Sequence, residues 1–132
     1  MGATPLSFSL YIHIPWCQAK CPYCDFNSYA AASWPEAEYT RMLITEMARR
    51  AEEAPWADCG GLKTIFFGGG TPSLFKPDSI DALIHGADRI FRLERDAEIT
   101  LEANPGTVDL EKLRGMRAAG VNRLSFGAQS FN

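Results

Sequence analysis

The sequence has no excess of basic charge to offer a polyanion. Thirteen Lys and Arg stand against 16 Asp and Glu, for a net charge of -3. The basic residues fall singly or in pairs such as Arg49 and Arg50, which reads as solvated helix surface and excludes nucleic acid as a partner. No stretch approaches the roughly 18 apolar residues that a membrane-spanning helix needs, so an integral membrane protein is excluded too. The opening MGATPLSFSLYIHIPWC lacks the basic start and long apolar run of a secretion signal, and Leu6 stands where N-myristoylation wants Ser or Thr. The expected compartment is the cytoplasm. Cysteine is scarce, with four in 132 residues. Reducing conditions in that compartment keep thiols free and disfavour a disulfide framework.

What the chain does have is a concentration of those cysteines. Cys17, Cys21 and Cys24 fall within eight residues as CxxxCxxC. One short loop can bring three thiolates to a single metal centre, so the spacing is that of a metal site before it is that of a disulfide. Three ligands are one short of a closed tetrahedral site. A structural zinc would want a further Cys or His, and a zinc ribbon would show two separate CxxC pairs where this chain has one. Cys59 is far downstream in a loop and reads as an ordinary thiol. A four-iron, four-sulfur cluster is usually held by four cysteines. Held by three, it keeps one iron open to another ligand. The spacing favours that cluster over zinc, with the zinc module as the alternative.

The remaining pattern is alternating strand and helix. Residues 8–14, FSLYIHI, are apolar on both parities and predict a strand buried on both faces, ended by Pro15. His13 reads as a structural residue near that strand's end. Ser33 and Glu36 offer a capping box for a helix over about 34–53, with Tyr39, Met42, Leu43 and Met47 as its apolar stripe. A loop at 54–62 leads to a short strand at 64–67, which runs directly into Gly68-Gly69-Gly70-Thr71-Pro72. Three consecutive glycines imply close approach of main chain to a ligand. The GK[ST] ending of a P-loop is absent. A helix over 77–91 follows, with Ile80, Leu83, Ile84, Ala87 and Phe91 on one face and His85 beside it. A strand at 98–103, EITLEA, sets Ile99, Leu101 and Ala103 opposite Glu98, Thr100 and Glu102. Thr107 is the expected cap of a third helix through Ala119, Gly120 its terminator, and 121–126 the fourth strand.

This alternation predicts an α/β fold of four parallel strands with three helices joined by right-handed crossovers. The cysteines follow strand one, the glycines strand two, Glu102 closes strand three and Gln129 follows strand four. In parallel sheets and barrels that edge is where ligands bind. Four strands cannot close a barrel, and the last would lie open, so residues 1–132 are expected to be the N-terminal portion of a larger domain.

CxxxCxxC directly after an apolar strand resembles the cluster loop of the radical S-adenosylmethionine superfamily. The flanks YIHIPWC and CPYCDFNS resemble the oxygen-independent coproporphyrinogen III oxidase group, and within it the haem chaperone branch. The oxidase branch carries a fourth cysteine two positions after the third, where this chain has Phe26. The resemblance implies a partial TIM-type barrel, a 4Fe-4S cluster on Cys17, Cys21 and Cys24, and S-adenosylmethionine on the open iron, cleaved to a 5′-deoxyadenosyl radical when the cluster is reduced. It implies that GGGTP receives the amino group of that cofactor. Tyr11, Gly69, Gly70, Thr71, Glu102 and Gln129 match cofactor-contacting positions, and Tyr23 matches an aromatic position near it. The implied function is binding haem and passing it to haem-requiring membrane enzymes. The alternative within the group is oxidative decarboxylation of coproporphyrinogen III. No haem ligand or catalytic residue is assigned.

Overall fold

A computed structural model of the protein describes residues 7–17, 29–30, 33–53 and 60–126. Its centre is a four-stranded parallel sheet in the order β1-β4-β5-β6, with β1 at Phe8–Ile14, β4 at Leu62–Gly69, β5 at Leu93–Ala103 and β6 at Arg123–Phe126. A second, two-stranded parallel ladder pairs β2, Trp16–Cys17, with β3, Tyr29–Ala30. That ladder has no counterpart in the sequence reading, because two-residue strands carry no periodicity. Helices α1 (Glu36–Ala51), α2 (Pro77–Phe91) and α3 (Leu110–Ala119) form the crossovers, α1 packing on α2 and α2 on α3.

The helices cover one face of the sheet. Ile12 and Ile14 of β1, Ile65 and Phe67 of β4, and Ile99 and Leu101 of β5 meet Ile80, Leu83 and Ile84 of α2 and Met116 of α3 in one buried cluster. Each such side chain contributes about 1.5–3 kcal/mol by leaving water. The opposite face is not covered to the same degree by the described residues. Ser9 and Tyr11 are exposed, so β1 is buried on one face and not on both. The alternation in β5 holds for Ile99, Leu101 and Ala103, which are buried, and for Glu98, which is exposed. Thr100 is the exception. It shares the open face but is buried between its register partners Phe66 and Arg123, and its hydroxyl has no hydrogen-bond partner among the described residues.

Two helix starts differ from expectation for local reasons. The Ser33–Glu36 capping box does not form: α1 begins at Glu36 itself, capped at Pro35 without a side-chain bond. Proline disfavours helical geometry in the residue before it, which keeps Trp34 out of the helix and makes Glu36 its first residue. From there the carboxylate reaches forward to the next helix. It accepts from Lys76 N at 2.8 Å and Ser79 Oγ at 2.6 Å, so Glu36 ties the start of α2 to the start of α1. Thr107 does not cap α3. It closes a 3-10 turn, donating to Asn104 O at 2.7 Å, and Asp109 caps the helix by accepting from Lys112 N at 2.8 Å. At the far end Gly120 adopts φ 122°, the positive range that glycine tolerates, and stops α3.

The strands at 64–67 and 98–103 extend further back than their apolar runs. The extra residues, from Leu62 and Leu93, pair through an irregular stretch in which Leu62 faces Leu93 and Thr64 faces Glu98. The fourth strand is shorter than expected, starting at Arg123. Arg92, between α2 and β5, takes φ 65° and is the one described non-glycine residue with positive φ.

Candidate cofactor-binding edge

The C-terminal ends of β1, β4 and β5 converge at the glycine segment. β1 and β4 are in register, with His13 beside Gly68 and Ile14 beside Gly69. The pairing continues past both strands: Gly70 N donates to Ile14 O and Thr71 N to Trp16 O, each at 2.7 Å. The glycine loop is therefore stapled to the residues that lead into Cys17. A Cβ on Gly70 would run into Trp16 O, so only glycine permits this approach.

Behind the staple lies an aromatic group. Trp16 meets Tyr39 of α1 edge-on with ring centroids 4.8 Å apart and stacks towards Phe75 at 6.3 Å. Tyr39 donates its phenol proton to His13 O at 2.5 Å. Burial, and secondarily the nearby Tyr11, raise the Tyr39 phenol above its ordinary value, so it stays a donor.

In front lies the open sheet face. Tyr11 stacks on Phe66 with centroids 6.0 Å apart and its hydroxyl lies 3.1 Å from His13 Nδ1. Burial and then the Glu102 carboxylate raise the Tyr11 phenol, though the side chain is 56% exposed. Glu102 accepts from Gly69 N through Oε1 at 3.1 Å. Gly69 has φ 113°, which turns its amide towards β5.

These bonds decide what the glycine loop can bind. The amide hydrogens of Gly69, Gly70 and Thr71 are all spent inside the protein, on Glu102, Ile14 and Trp16. A loop that cradles phosphate needs those hydrogens outward. This loop instead keeps spare lone pairs on its carbonyls, with a carboxylate and a phenol oxygen beside them. Such a donor-poor rim suits an ammonium group.

The sequence profile of the Radical SAM superfamily matches residues 11–132. The chain belongs to the radical SAM superfamily. Within this superfamily it is 47% identical to the heme chaperone HemW of Escherichia coli strain K12 over 94% of its own length and 32% of the relative's. It is 49% identical to the heme chaperone HemW of Haemophilus influenzae, over 94% and 33% respectively. The solved structure of the coproporphyrinogen III oxidase HemN of Escherichia coli, a radical SAM enzyme, superposes with a TM-score of 0.87 at 33% identity. That match covers 97% of this chain and 29% of the other. The radical SAM chain described here thus spans about a third of the length of these relatives.

Of the residues singled out from the sequence, Tyr11, Gly69, Gly70, Thr71 and Glu102 come together at this edge. Cys17 stands beside them in β2, paired with Ala30. Cys21, Tyr23, Cys24, Phe26, Cys59 and Gln129 lie outside the described residues. Among the described residues no three His, Cys, Asp or Glu side chains group closely enough to hold a metal ion. No described helix is long and apolar enough to cross a membrane. His85 is exposed on α2, 3.2 Å from Asp81. Two participants were missed. His13 lies two residues from Tyr11, and the period of a strand puts them on one face, a signal available in the sequence. Tyr39 looked like any core aromatic of α1; its bond to a β1 carbonyl needs the fold.

Proposed function

We propose that Cys17, Cys21 and Cys24 hold a 4Fe-4S cluster and that Tyr11, Gly69, Gly70, Thr71 and Glu102, with Tyr23 and Gln129, hold S-adenosylmethionine beside it. The observation that carries this reading is the spent amides of the glycine loop next to Cys17: the main-chain groups left unspent there, and the Glu102 carboxylate beside them, can only accept hydrogen bonds, which fits the ammonium of that cofactor. When bound, the pair supplies one-electron reductive cleavage of a sulfonium, chemistry that belongs to the cofactors. The chain's own residues bind and orient. Glu102 fixes Gly69, the carbonyls of Ile14 and Trp16 fix the rest of the loop, and Trp16, Tyr39 and Phe75 keep water from its back. In this reading residues 1–132 are the N-terminal portion of a radical SAM core domain.

For the full-length protein we propose haem binding and transfer to haem-requiring enzymes. The support is that the chain is 47% identical to the Escherichia coli haem chaperone but 33% identical to the coproporphyrinogen oxidase of the same organism, and that Phe26 replaces the oxidase branch's fourth cysteine. The fold likeness to that oxidase favours coproporphyrinogen decarboxylation as the second reading.

Anaerobic reconstitution of the full-length protein with iron and sulfide tests the first proposal. The reduced protein should give a cluster signal in electron paramagnetic resonance that shifts on adding S-adenosylmethionine. Stoichiometric zinc without a cluster would overturn it. Haem titration followed by visible absorption, run beside a coproporphyrinogen turnover assay, separates the two functions: tight haem binding without turnover is expected, and robust turnover with Phe26 in place refutes the chaperone reading.

A further inference from the structure

Resting on the reading that this edge receives the ammonium of S-adenosylmethionine, we propose that His13 is a positioning residue that sets the direction of the Tyr11 hydroxyl proton. A phenol carries one proton and two acceptor lone pairs, and it can meet a ligand with either. The Glu102 carboxylate and the main-chain carbonyls of the glycine loop can only accept, and the Thr71 hydroxyl can turn to accept as well. A Tyr11 proton turned outward would face an ammonium donor to donor. His13 Nδ1, 3.1 Å away on the same strand face, removes that arrangement. With the imidazole protonated at Nε2, Nδ1 accepts the phenol proton and the hydroxyl meets the ligand with its lone pairs.

The imidazole is itself held in place. Its backbone carbonyl takes the Tyr39 proton at 2.5 Å, and its ring packs under the glycine loop. A Cβ added to Gly69 would lie 2.7 Å from His13 Cε1 and 2.8 Å from Nδ1, so the absence of a side chain at Gly69 is what lets the ring sit there. Tyr11 is confined in turn by its stack on Phe66. Two rings locked by packing give a fixed hydrogen-bond direction, which is what a positioning role requires.

The test is a double-mutant cycle on the full-length, cluster-loaded protein, reading affinity for S-adenosylmethionine by equilibrium dialysis and iron and sulfide content in parallel. Tyr11→Phe and His13→Leu should each weaken binding about fivefold to tenfold with cluster content unchanged, the size of one lost hydrogen bond. The double variant should be no weaker than Tyr11→Phe, since His13 acts through a hydroxyl that is already gone. His13→Asn, whose amide oxygen can stand where Nδ1 stands, should recover most of the affinity, and His13→Gln should not. For the analogue lacking the amino group, wild type and His13→Leu should bind alike. Losses that multiply in the double variant, or His13→Asn no better than His13→Gln, would overturn the positioning role alone. A wild-type protein that loads its cluster and binds no S-adenosylmethionine would overturn the site reading and this inference with it. Should His13→Leu lose its cluster, the comparison of Asn with Gln decides.

Discussion

Replacing Gly68 by alanine should destabilise the protein by an amount the surroundings of its Cα set. The added methyl carbon would lie 2.6 Å from Glu102 Oε1, 2.8 Å from Phe66 Cε1 and 2.9 Å from Tyr11 Cε2. Favourable carbon contacts begin near 3.5 Å, so each neighbour must retreat by roughly 0.5–1 Å. Phe66 and Tyr11 are stacked on each other and do not yield independently. Glu102 is the flexible one, but moving it withdraws Oε1 from Gly69 N. A hydrogen bond to a charged group contributes about 1.5–3 kcal/mol, overpacking costs about 1–3 kcal/mol, and alanine returns about 0.5–1 kcal/mol of glycine's entropy. The expected loss is about 1.5–5.5 kcal/mol, read as a shift in the urea midpoint of the cluster-free protein. Gly106→Ala is the comparison, because there the nearest atom to a new Cβ is Asn104 Oδ1 at 3.4 Å, an ordinary contact. Midpoints of the two variants that coincide would refute the reasoning. Adding Glu102→Ala should hurt Gly68→Ala much less than it hurts wild type. Additive losses would show that Glu102 is not the group the methyl strikes.

Asp109→Ala should cost about 1 kcal/mol in denaturant unfolding while Thr107→Ala leaves α3 intact by helix-sensitive amide exchange, since Asp109 holds the cap. Arg92→Gly should stabilise the protein by about 1 kcal/mol, because φ 65° strains a residue that carries a Cβ; a melting temperature that falls would contradict this. Tyr39→Phe should lose about 1 kcal/mol at neutral pH and also flatten the alkaline limb of stability. The folded-state phenol of Tyr39 sits above its ordinary value of 10.0, so its contribution is complete below that pH and is lost as pH rises through the folded value. Urea midpoints from pH 8 to 11 compare the two slopes. Glu36→Ala should cost about 1–2 kcal/mol by losing both bonds to the start of α2, and Ser33→Ala almost nothing, as both midpoints would report.

Those cap substitutions also mark where sequence reading stops. Periodicity located the four strands and three helices because apolar spacing reports which face is buried, and the helix-covered core made that face decisive for Ile12, Ile65, Ile99 and Leu101. Caps are a contest among nearby oxygens. Thr107 and Asp109 both have one, and only the turn at Pro105–Thr107 decides which stands before the helix. Glu36 could not be assigned from its neighbours, because its partners Lys76 and Ser79 are 40 and 43 residues away. At the edge, the glycines and Glu102 were found by type and position, as chemistry at the C-terminal ends of parallel strands, and Tyr11 only through the family resemblance. The spending of the loop's amides was not visible, since Ile14 and Trp16 contribute through main-chain carbonyls that any residue possesses.

The two bonds from Gly70 N to Ile14 O and from Thr71 N to Trp16 O carry a further consequence, for insertions and deletions. They extend the β1–β4 register beyond the strands, so the count of residues from His13 to Cys17 is fixed by a ruler on the neighbouring segment. One residue added at Pro15 would carry Trp16 O past Thr71 and shift Cys17 against the glycine loop, even with every side chain retained. Length variation in descendants of this sequence should therefore avoid residues 14–17 and 68–71 together, and a change in one should survive only with a matching change in the other.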